Sequence, residues 1–367
     1  MKILVTGSKG FIGRNLVHAL KNQGFKDIFE YDADSRPELL ESFCLECDFV
    51  FHLAGVNRPE HISEFTRGNS GLTQKLVDFL EKGKHAPVVF SSSIQAELDN
   101  PYGRSKRESE EILKRYGSNG RKVYIYRFPN VFGKWCRPDY NSVIATFCYN
   151  VAHDLPIRVN DEDREMNLVY IDDVVQELTG CLKEKSDPHG GFCCVSPVYT
   201  ENLAVIADMI RNFSSYAAEL KVPDQSNELM KKLYSTYLSY LPINKFKYPL
   251  TVHEDDRGSF TEFLRTEERG QVSVNISRPH IVKGNHWHNT KHEIFLVVSG
   301  TGIIRMRRLD DEKIIKIYVS GNKLEPVLIP PGYVHNIENV GEVDMVTVMW
   351  ANEIFDIEHP DTYGLKV

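Results

Sequence analysis

The chain has 367 residues, long enough for two domains that each bury a core. With 41% hydrophobic residues, 26% charged residues and a formal net charge of −7, its composition is that of a soluble globular protein and lacks the basic excess of a nucleic-acid binder. No stretch approaches the roughly 18 apolar residues of a membrane span, Gly7 breaks the N-terminal apolar run too early for a signal peptide, and seven scattered cysteines suit reduced thiols in the cytoplasm.

The first 130 or so residues alternate short apolar runs with helical patterns. "KILVT" reads as a strand, "FIGRNLVHALKNQG" as a helix ending at Gly24, and "DIFEYD" and "DFVFHLAG" as the next strands. "NSGLTQKLVDFLEK" is a helix, "APVVFSSS" a fourth strand, "YGRSKRESEEILKRYG" a helix and "KVYIYRF" a fifth strand. Strands rich in Val, Ile, Phe and Tyr, each separated by a helix, predict a parallel sheet covered on both faces. Cys44 and Cys47 form a C-x-x-C between a helix end and a strand; with no second pair to complete a zinc knuckle, no redox or metal role is expected of them. Residues 134–245 are less regular, with mixed helices, two short strands and a closing helix in "ELMKKLYSTYLSYLPINKFKY". From 246 onward helical periodicity stops. "GQVSVNIS", "EIFLVVSG", "TGIIRMRRL", "KIIKIYVS", "EPVLIPPG", "HNIENVG" and "DMVTVMW" follow at close spacing, which predicts a sandwich or small barrel. The expected architecture is therefore an α/β domain over 1–245 and an all-β domain over 246–367.

Thr6-Gly7-Ser8-Lys9-Gly10-Phe11-Ile12-Gly13 follows a strand and opens a helix. Glycines there allow a tight turn and close approach of a pyrophosphate, whose charge meets the helix N-terminus. Tyr102 and Lys106 are four apart, on one helical face, after a strand that ends in Ser91-Ser92-Ser93. An ammonium beside the phenol would lower its pKa and hold a cofactor ribose, while a serine hydroxyl steadies the proton transfer. With "HLAG" (52–55, bringing Leu53 and Ala54 to the same edge), this order resembles the extended short-chain dehydrogenase/reductase family over roughly residues 1–245. The resemblance implies a Rossmann-like fold, a nucleotide-sugar substrate, Tyr102 as acid/base, Lys106 as its partner and Ser93 as the third member, with Ser92 the alternative. It also implies Asn130 near the sugar or pyrophosphate and "YNSVIATF", which contains Asn141, near the nucleobase. Asp32, at the end of the second strand, would bind a ribose 2′-OH and favour NAD. Arg14 and Arg36 would receive a 2′-phosphate instead, and the balance favours NADPH with NAD as the alternative.

His286 and His288 alternate as on a strand, Glu293 starts the next strand, and His335 follows "IPPGYV" some forty residues later. Three imidazoles and a carboxylate suit Zn, Fe, Mn or Ni better than Mg or Ca; the competing reading is a histidine-rich surface hairpin. The half-motifs H-x-H-x4-E-x6-G (His286, His288, Glu293, Gly300) and P-x-G-x2-H-x3-N (Pro330, Gly332, His335, Asn339) resemble the cupin family. His286 is left open between metal ligand and substrate-facing acid/base, and His292 is read as a surface residue. "EDDRGSFTE" (254–262) resembles the opening of cupin-shaped epimerases of 4-keto-6-deoxy sugar nucleotides. Arg257 would suit a diphosphate or carboxylate, and Lys283 a phosphate contact or a base.

Taken together, "HLAGVNRPEH", "NVFGKWCRP", "YSTYLSYLP", "DDRGSFTEF" and "KGNHWHNTKHE" resemble the CapF-type capsular polysaccharide synthesis family from end to end. That resemblance implies zinc, a UDP-sugar substrate, epimerisation at C3 of a UDP-2-acetamido-2,6-dideoxy-4-ketohexose, and reduction at C4. Pairing through cupin sheet edges would give a homodimer or higher homo-oligomer. Two rival readings are a reductase carrying a structural metal cupin and a non-enzymatic NAD(P)H sensor.

Overall fold

The structure, a computed structural model, describes residues 1–184, 191–266 and 268–367. It divides into two compact units: Met1–Arg211 with Lys232–Leu241, and Asn212–Lys231 with Pro242–Val367. The chain thus contributes Asn212–Lys231 to the second unit, returns to the first, and leaves it finally at Pro242.

In the first unit β1 (Ile3–Thr6), β2 (Ile28–Tyr31), β3 (Phe49–His52), β4 (Val88–Ser93) and β5 (Val123–Phe128) form one sheet in the order β2-β1-β3-β4-β5. Every pairing in it is parallel. Side chains alternate across each strand, so Ile3, Val5, Phe49, Phe51 and Val89 pack on one face with Leu16, Val17 and Leu20 of the helix Phe11–Asn22 and Val174 and Leu178 of the helix Ile171–Gly180. Leu4, Val50, Val88 and Phe90 pack on the other face with residues of the helices Glu38–Glu46, Gly71–Lys82 and Pro101–Ser118. This is the doubly wound arrangement expected from the alternating pattern. The order reverses between β1 and β3, which opens a crevice at their carboxyl ends. A small sheet follows: β6 (Asn130–Phe132) runs parallel to β7 (Glu165–Tyr170), and β8 (Tyr199–Asn202) antiparallel to it.

The second unit holds β9 (His253–Asp255), β10 (Gly258–Thr266), β11 (Gly270–Ser277), β12 (Val282–Trp287), β13 (Glu293–Ser299), β14 (Thr301–Arg308), β15 (Ile315–Ser320), β16 (Val327–Ile329), β17 (Tyr333–Asn339), β18 (Met345–Ala351) and β19 (Tyr363–Gly364). They form two antiparallel sheets, β16-β13-β18-β11-β10-β9 and β15-β14-β17-β12-β19. Phe295, Val297, Ile304, Met306, Ile329, Ile337 and Met345 make a core cluster drawn from both sheets. The all-β reading from 246 onward matches this, but β9 and β10 fall where the sequence shows only a polar motif.

Of the seven cysteines, Cys194 is exposed and the rest are buried. Cys44 lies in the last turn of the helix Glu38–Glu46, Cys47 caps it, and both lie in the core beneath β3. Burial pushes the Cys47 thiol up to about 12 and the Cys44 thiol higher still.

Candidate functional site

In the first unit the glycine-rich turn is shaped by contacts that exclude a side chain. Gly7 has φ of 70°, and a Cβ there would lie 2.7 Å from the backbone nitrogen of Ala54. A Cβ on Gly13 would come within 2.0 Å of the Gly7 carbonyl oxygen, so the helix can seat on the turn only with glycine at that place. Gly10 precedes the helix in extended conformation and its N–H donates to Gly7 O, while Phe11 and Ile12 anchor the first helical turn against the core. The Leu53 N–H donates to Thr6 O and the Ala54 N–H to Thr6 Oγ1, which sets the end of β3 against the end of β1. Asp32 accepts from the backbone N–H of Lys9 at 2.7 Å and of Ala33 at 2.8 Å, so its carboxylate sits over the turn. Arg14 donates to the carbonyl of Trp135 at 2.6 Å, and Arg36 is exposed.

Pro101 and the capping Asn100 start the helix Pro101–Ser118 directly ahead of Tyr102. Ser93 lies beside the Tyr102 side chain, whereas Ser92 turns inward and donates to Glu110 at 2.5 Å. Burial pushes the Tyr102 phenol up, against the opposing effect of Ser93. The lowering expected from a neighbouring ammonium is not found: burial dominates, Ser93 alone opposes it, and Lys106 is not among the groups acting on this phenol. Lys106 is 5% exposed, donates to Ser91 O at 2.8 Å, and has its ammonium pushed down to about 8 by burial against the pull of Glu110. Asn130 lies on β6 and donates to Asn167 O at 3.2 Å; Asn141 is exposed in the turn before the helix Val143–Ala152.

Two polar residues here escape a sequence reading. Asn69, at the start of "NSGLTQKLVDFLEK" in the sequence, is buried in a π-helical turn, Thr66–Ser70, ahead of the helix Gly71–Lys82. Its side chain bonds Val56 N, Val56 O and Ser105 Oγ, and Ser105 in turn donates to Tyr102 O. His52, inside "HLAG", is fully buried between Thr6 Oγ1 at 2.7 Å and Thr73 Oγ1 at 2.9 Å. Burial pushes its imidazole down to about 3, aided by the charge of Lys106.

In the second unit one ligand atom from each of His286, His288, Glu293 and His335 lies within 4.8 Å of the others. Strand geometry brings them together. β12 pairs with β17, with Lys283 opposite Ile337, Gly284 opposite Asn336 and, after a bulge, His286 opposite His335. On a regular strand Lys283 and His286, three residues apart, would face opposite ways. The extra residue Asn285, at φ 60° after Gly284 at φ 99°, restores the parity, and both line one cavity. That cavity, of about 640 Å³, is also lined by Glu293, His335, Asp255, Arg257, Ser259, Phe260 and Asn275. Lys283 Nζ donates to Asn275 Oδ1 and Ile276 O, each at 2.8 Å, and to Ser259 O at 3.3 Å. Burial pushes its ammonium down. Arg257 is exposed and paired with Asp255 at 2.6 Å. His292 is half-buried against Trp350 rather than on the surface.

The donor set passes a chemical test for a cation. His288 Nδ1 donates to the carbonyl of Asp361 at 2.6 Å, and His335 Nδ1 faces the carbonyl of Tyr333 at 3.3 Å. That turns both Nε2 atoms toward Glu293 Oε2, at 3.4 Å from His288 and 3.1 Å from His335. His288 Nε2 is fully buried and makes no hydrogen bond, the condition a bound cation relieves. Burial presses on Glu293, yet the two imidazoles hold its carboxyl far below the usual range. Burial pushes His286 down to about 4, with His335 adding to the effect, so its ring is neutral. Three imidazoles and one carboxylate, with two rings oriented by backbone carbonyls, fit a divalent transition metal.

Comparison with known proteins extends this picture over the whole chain. Residues 3–192 match the NAD dependent epimerase/dehydratase family and residues 253–363 the polysaccharide biosynthesis C-terminal domain. The chain is 43% identical, over all of its length and 99% of the relative's, to a UDP-2-acetamido-2,6-beta-L-arabino-hexul-4-ose reductase of Pseudomonas aeruginosa. It matches the crystal structure of the capsular polysaccharide assembling protein CapF from Staphylococcus aureus with a TM-score of 0.94 and 51% identity, covering all of both chains. A UDP-glucuronic acid 4-epimerase from Bacillus cereus, 19% identical with a TM-score of 0.54, covers 65% of this chain and 99% of its own and shares the fold alone. With both halves matched in order and the whole length covered, the chain belongs to the CapF-type family of epimerase/reductase enzymes.

Proposed function

We propose that this protein is a bifunctional nucleotide-sugar enzyme whose two units act on the same 4-keto sugar. Its substrate is a UDP-2-acetamido-2,6-dideoxy-4-ketohexose. The second unit epimerises C3, and the first reduces C4 with NADPH, or NAD in its place. The product, UDP-2-acetamido-2,6-dideoxy-L-talose, would feed synthesis of capsular polysaccharide in the cytoplasm. A homodimer joined through barrel edges is the expected assembly. The Pseudomonas relative, a reductase of a UDP-2-acetamido-2,6-beta-L-arabino-hexul-4-ose, supports the substrate class.

The observation that carries the two-step reading is the histidine–carboxylate cluster opening onto the cavity that holds Lys283. A proton on the carbon next to a ketone is acidic, and a site for epimerisation must stabilise the charge left when it departs. A divalent metal, zinc first, held by His286, His288, Glu293 and His335 would supply Lewis-acid polarisation there. Lys283, with all three N–H bonds engaged, serves as a fixed positive charge toward an anionic group rather than as the base. His286, neutral through burial, offers its lone pair as a fourth ligand or as the proton acceptor.

In the first unit a nicotinamide cofactor would supply the hydride. The turn from Gly7 to Gly13 admits its pyrophosphate and Lys106 its ribose. Tyr102, held protonated by burial, gives its proton to the C4 oxygen while Ser93 orients the phenol.

Proton NMR of the keto sugar in heavy water tests the reading. Deuterium should enter C3 before any cofactor is added, and NADPH should then yield a single 4-hydroxy product. Reduction without prior exchange would sink the epimerase half. His286→Gln divides its two roles: lost exchange with metal retained marks a base, and loss of both marks a ligand.

A further inference from the structure

We infer that the segment Asp361–Leu365 is a clasp that holds the histidine cluster in ligand geometry, with Asp361 as the residue that positions His288. The inference rests on the reading of the cluster as a metal site. Asp361 acts on the site with two groups at once. Its backbone carbonyl accepts from His288 Nδ1 at 2.6 Å, across 73 residues of sequence, and so fixes Nε2 as the atom that faces Glu293. Its carboxylate accepts the successive backbone N–H groups of Asn289 at 3.0 Å, Thr290 at 2.9 Å and Lys291 at 2.9 Å, and the Thr290 hydroxyl at 3.2 Å. Consecutive N–H groups turned to one side form a nest for an anion, and here the anion is a side chain of the same protein. The turn that carries this nest joins His288 to Glu293. Asp361 therefore sets the ring of one ligand and the approach of the other.

The residues that follow reach the third member. β19 pairs with β12, placing Gly364 opposite His286 and Tyr363 opposite Trp287. The Tyr363 and Trp287 rings stack at 4.7 Å, and Leu365 N–H donates to the carbonyl of the bulge residue Asn285 at 3.0 Å. The buried, partnerless Nε2 of His288 is the atom that the Asp361 carbonyl aims, while the residues after it hold His286 beside it. A clasp of this kind acts by keeping the donor atoms convergent, which sets affinity and release rate for the metal. A mere hairpin staple would instead change the stability of the metal-free fold.

The test uses the full chain, stripped with a chelator and titrated with zinc against a chromophoric competitor, below the melting temperature of each variant. The unaltered chain should bind one zinc per chain. Asp361→Ala keeps the carbonyl that holds His288 Nδ1 but frees the Asn289–Lys291 turn from its carboxylate, so it should bind roughly 10-fold more weakly and release zinc faster. Asp361→Asn, which keeps an acceptor oxygen, should recover most of the affinity. Tyr363→Ala, at an exposed position, should weaken binding several-fold and decides the matter if Asp361→Ala does not fold. Unchanged affinity in the variants, with a lower melting temperature of the metal-free form, would overturn the clasp and leave the metal site standing. No zinc binding by the unaltered chain would overturn both.

Discussion

Lys106 and His52 show at the scale of single residues how buried groups make the stability of the first unit depend on pH, in opposite directions. A lysine with its pKa pushed down to about 8 is disfavoured as an ammonium by its surroundings. The unfolded chain binds that proton more tightly, so the penalty is full below pH 8 and fades as pH rises toward the ordinary lysine value. Lys106→Met should therefore raise the unfolding free energy at pH 7 by about 1–2 kcal/mol, a gain that shrinks toward pH 10.5, while cofactor turnover is lost. Calorimetry across that range checks it; a destabilised variant at pH 7 would show that the bond to Ser91 outweighs the burial penalty. His52 behaves in the opposite part of the scale. It is neutral in the fold down to about pH 3, so the stability it contributes is present above its ordinary value of 6.5 and is lost as pH falls below that. Urea unfolding at pH 7, 6 and 5 should show the unaltered chain weakening faster than His52→Gln, by up to about 1.4 kcal/mol per pH unit.

The bulge in β12 is the element on which the second site depends, because it returns Lys283 and His286 to one face. Gly284 sits at φ 99°, and a Cβ there would lie 3.1 Å from both His335 O and Asn336 Cα. Gly284→Val should cost about 1–3 kcal/mol of stability and weaken zinc binding at least tenfold, read by thermal melting and competitive titration together. Zinc affinity unchanged in that variant would mean the strand reaches the same ligand geometry without the bulge. Elements of this kind mark where sequence stops being informative. The helix Phe11–Asn22 and strands β1, β3 and β4 are legible because their apolar residues recur at the helical period or run unbroken through a buried sheet. β10 is not, since "GSFTEFLRT" is half-buried on nearly every residue and shows no alternation. The four residues that motif spacing singles out, His286, His288, Glu293 and His335, are the four brought within 4.8 Å, because their types are rare and their spacing regular. The bulge depends on cross-strand register and Asp361 on a contact 73 residues away, and neither leaves a local pattern. Asn69 escaped for the same reason: its role comes from contacts with Val56 and Ser105, 13 and 36 residues away.

For the molecule as a whole, two units with separate cores should unfold separately. Calorimetry of the zinc-loaded chain should resolve two transitions. Stripping the metal should move one of them down by several degrees, as expected when about 3 kcal/mol of binding free energy is removed, and leave the other in place. A common shift of both would show that the units melt as one. The exposure pattern of the thiols gives a way to follow them in solution. Six of the seven cysteines are buried, and burial holds the thiols of Cys44, Cys47, Cys136, Cys148 and Cys193 high, which suppresses the reactive thiolate. At neutral pH a maleimide dye should attach to Cys194 alone, one per chain, with no engineering. Cobalt in the histidine cluster would quench that dye by energy transfer, turning the native sequence into a molecular ruler between the two units.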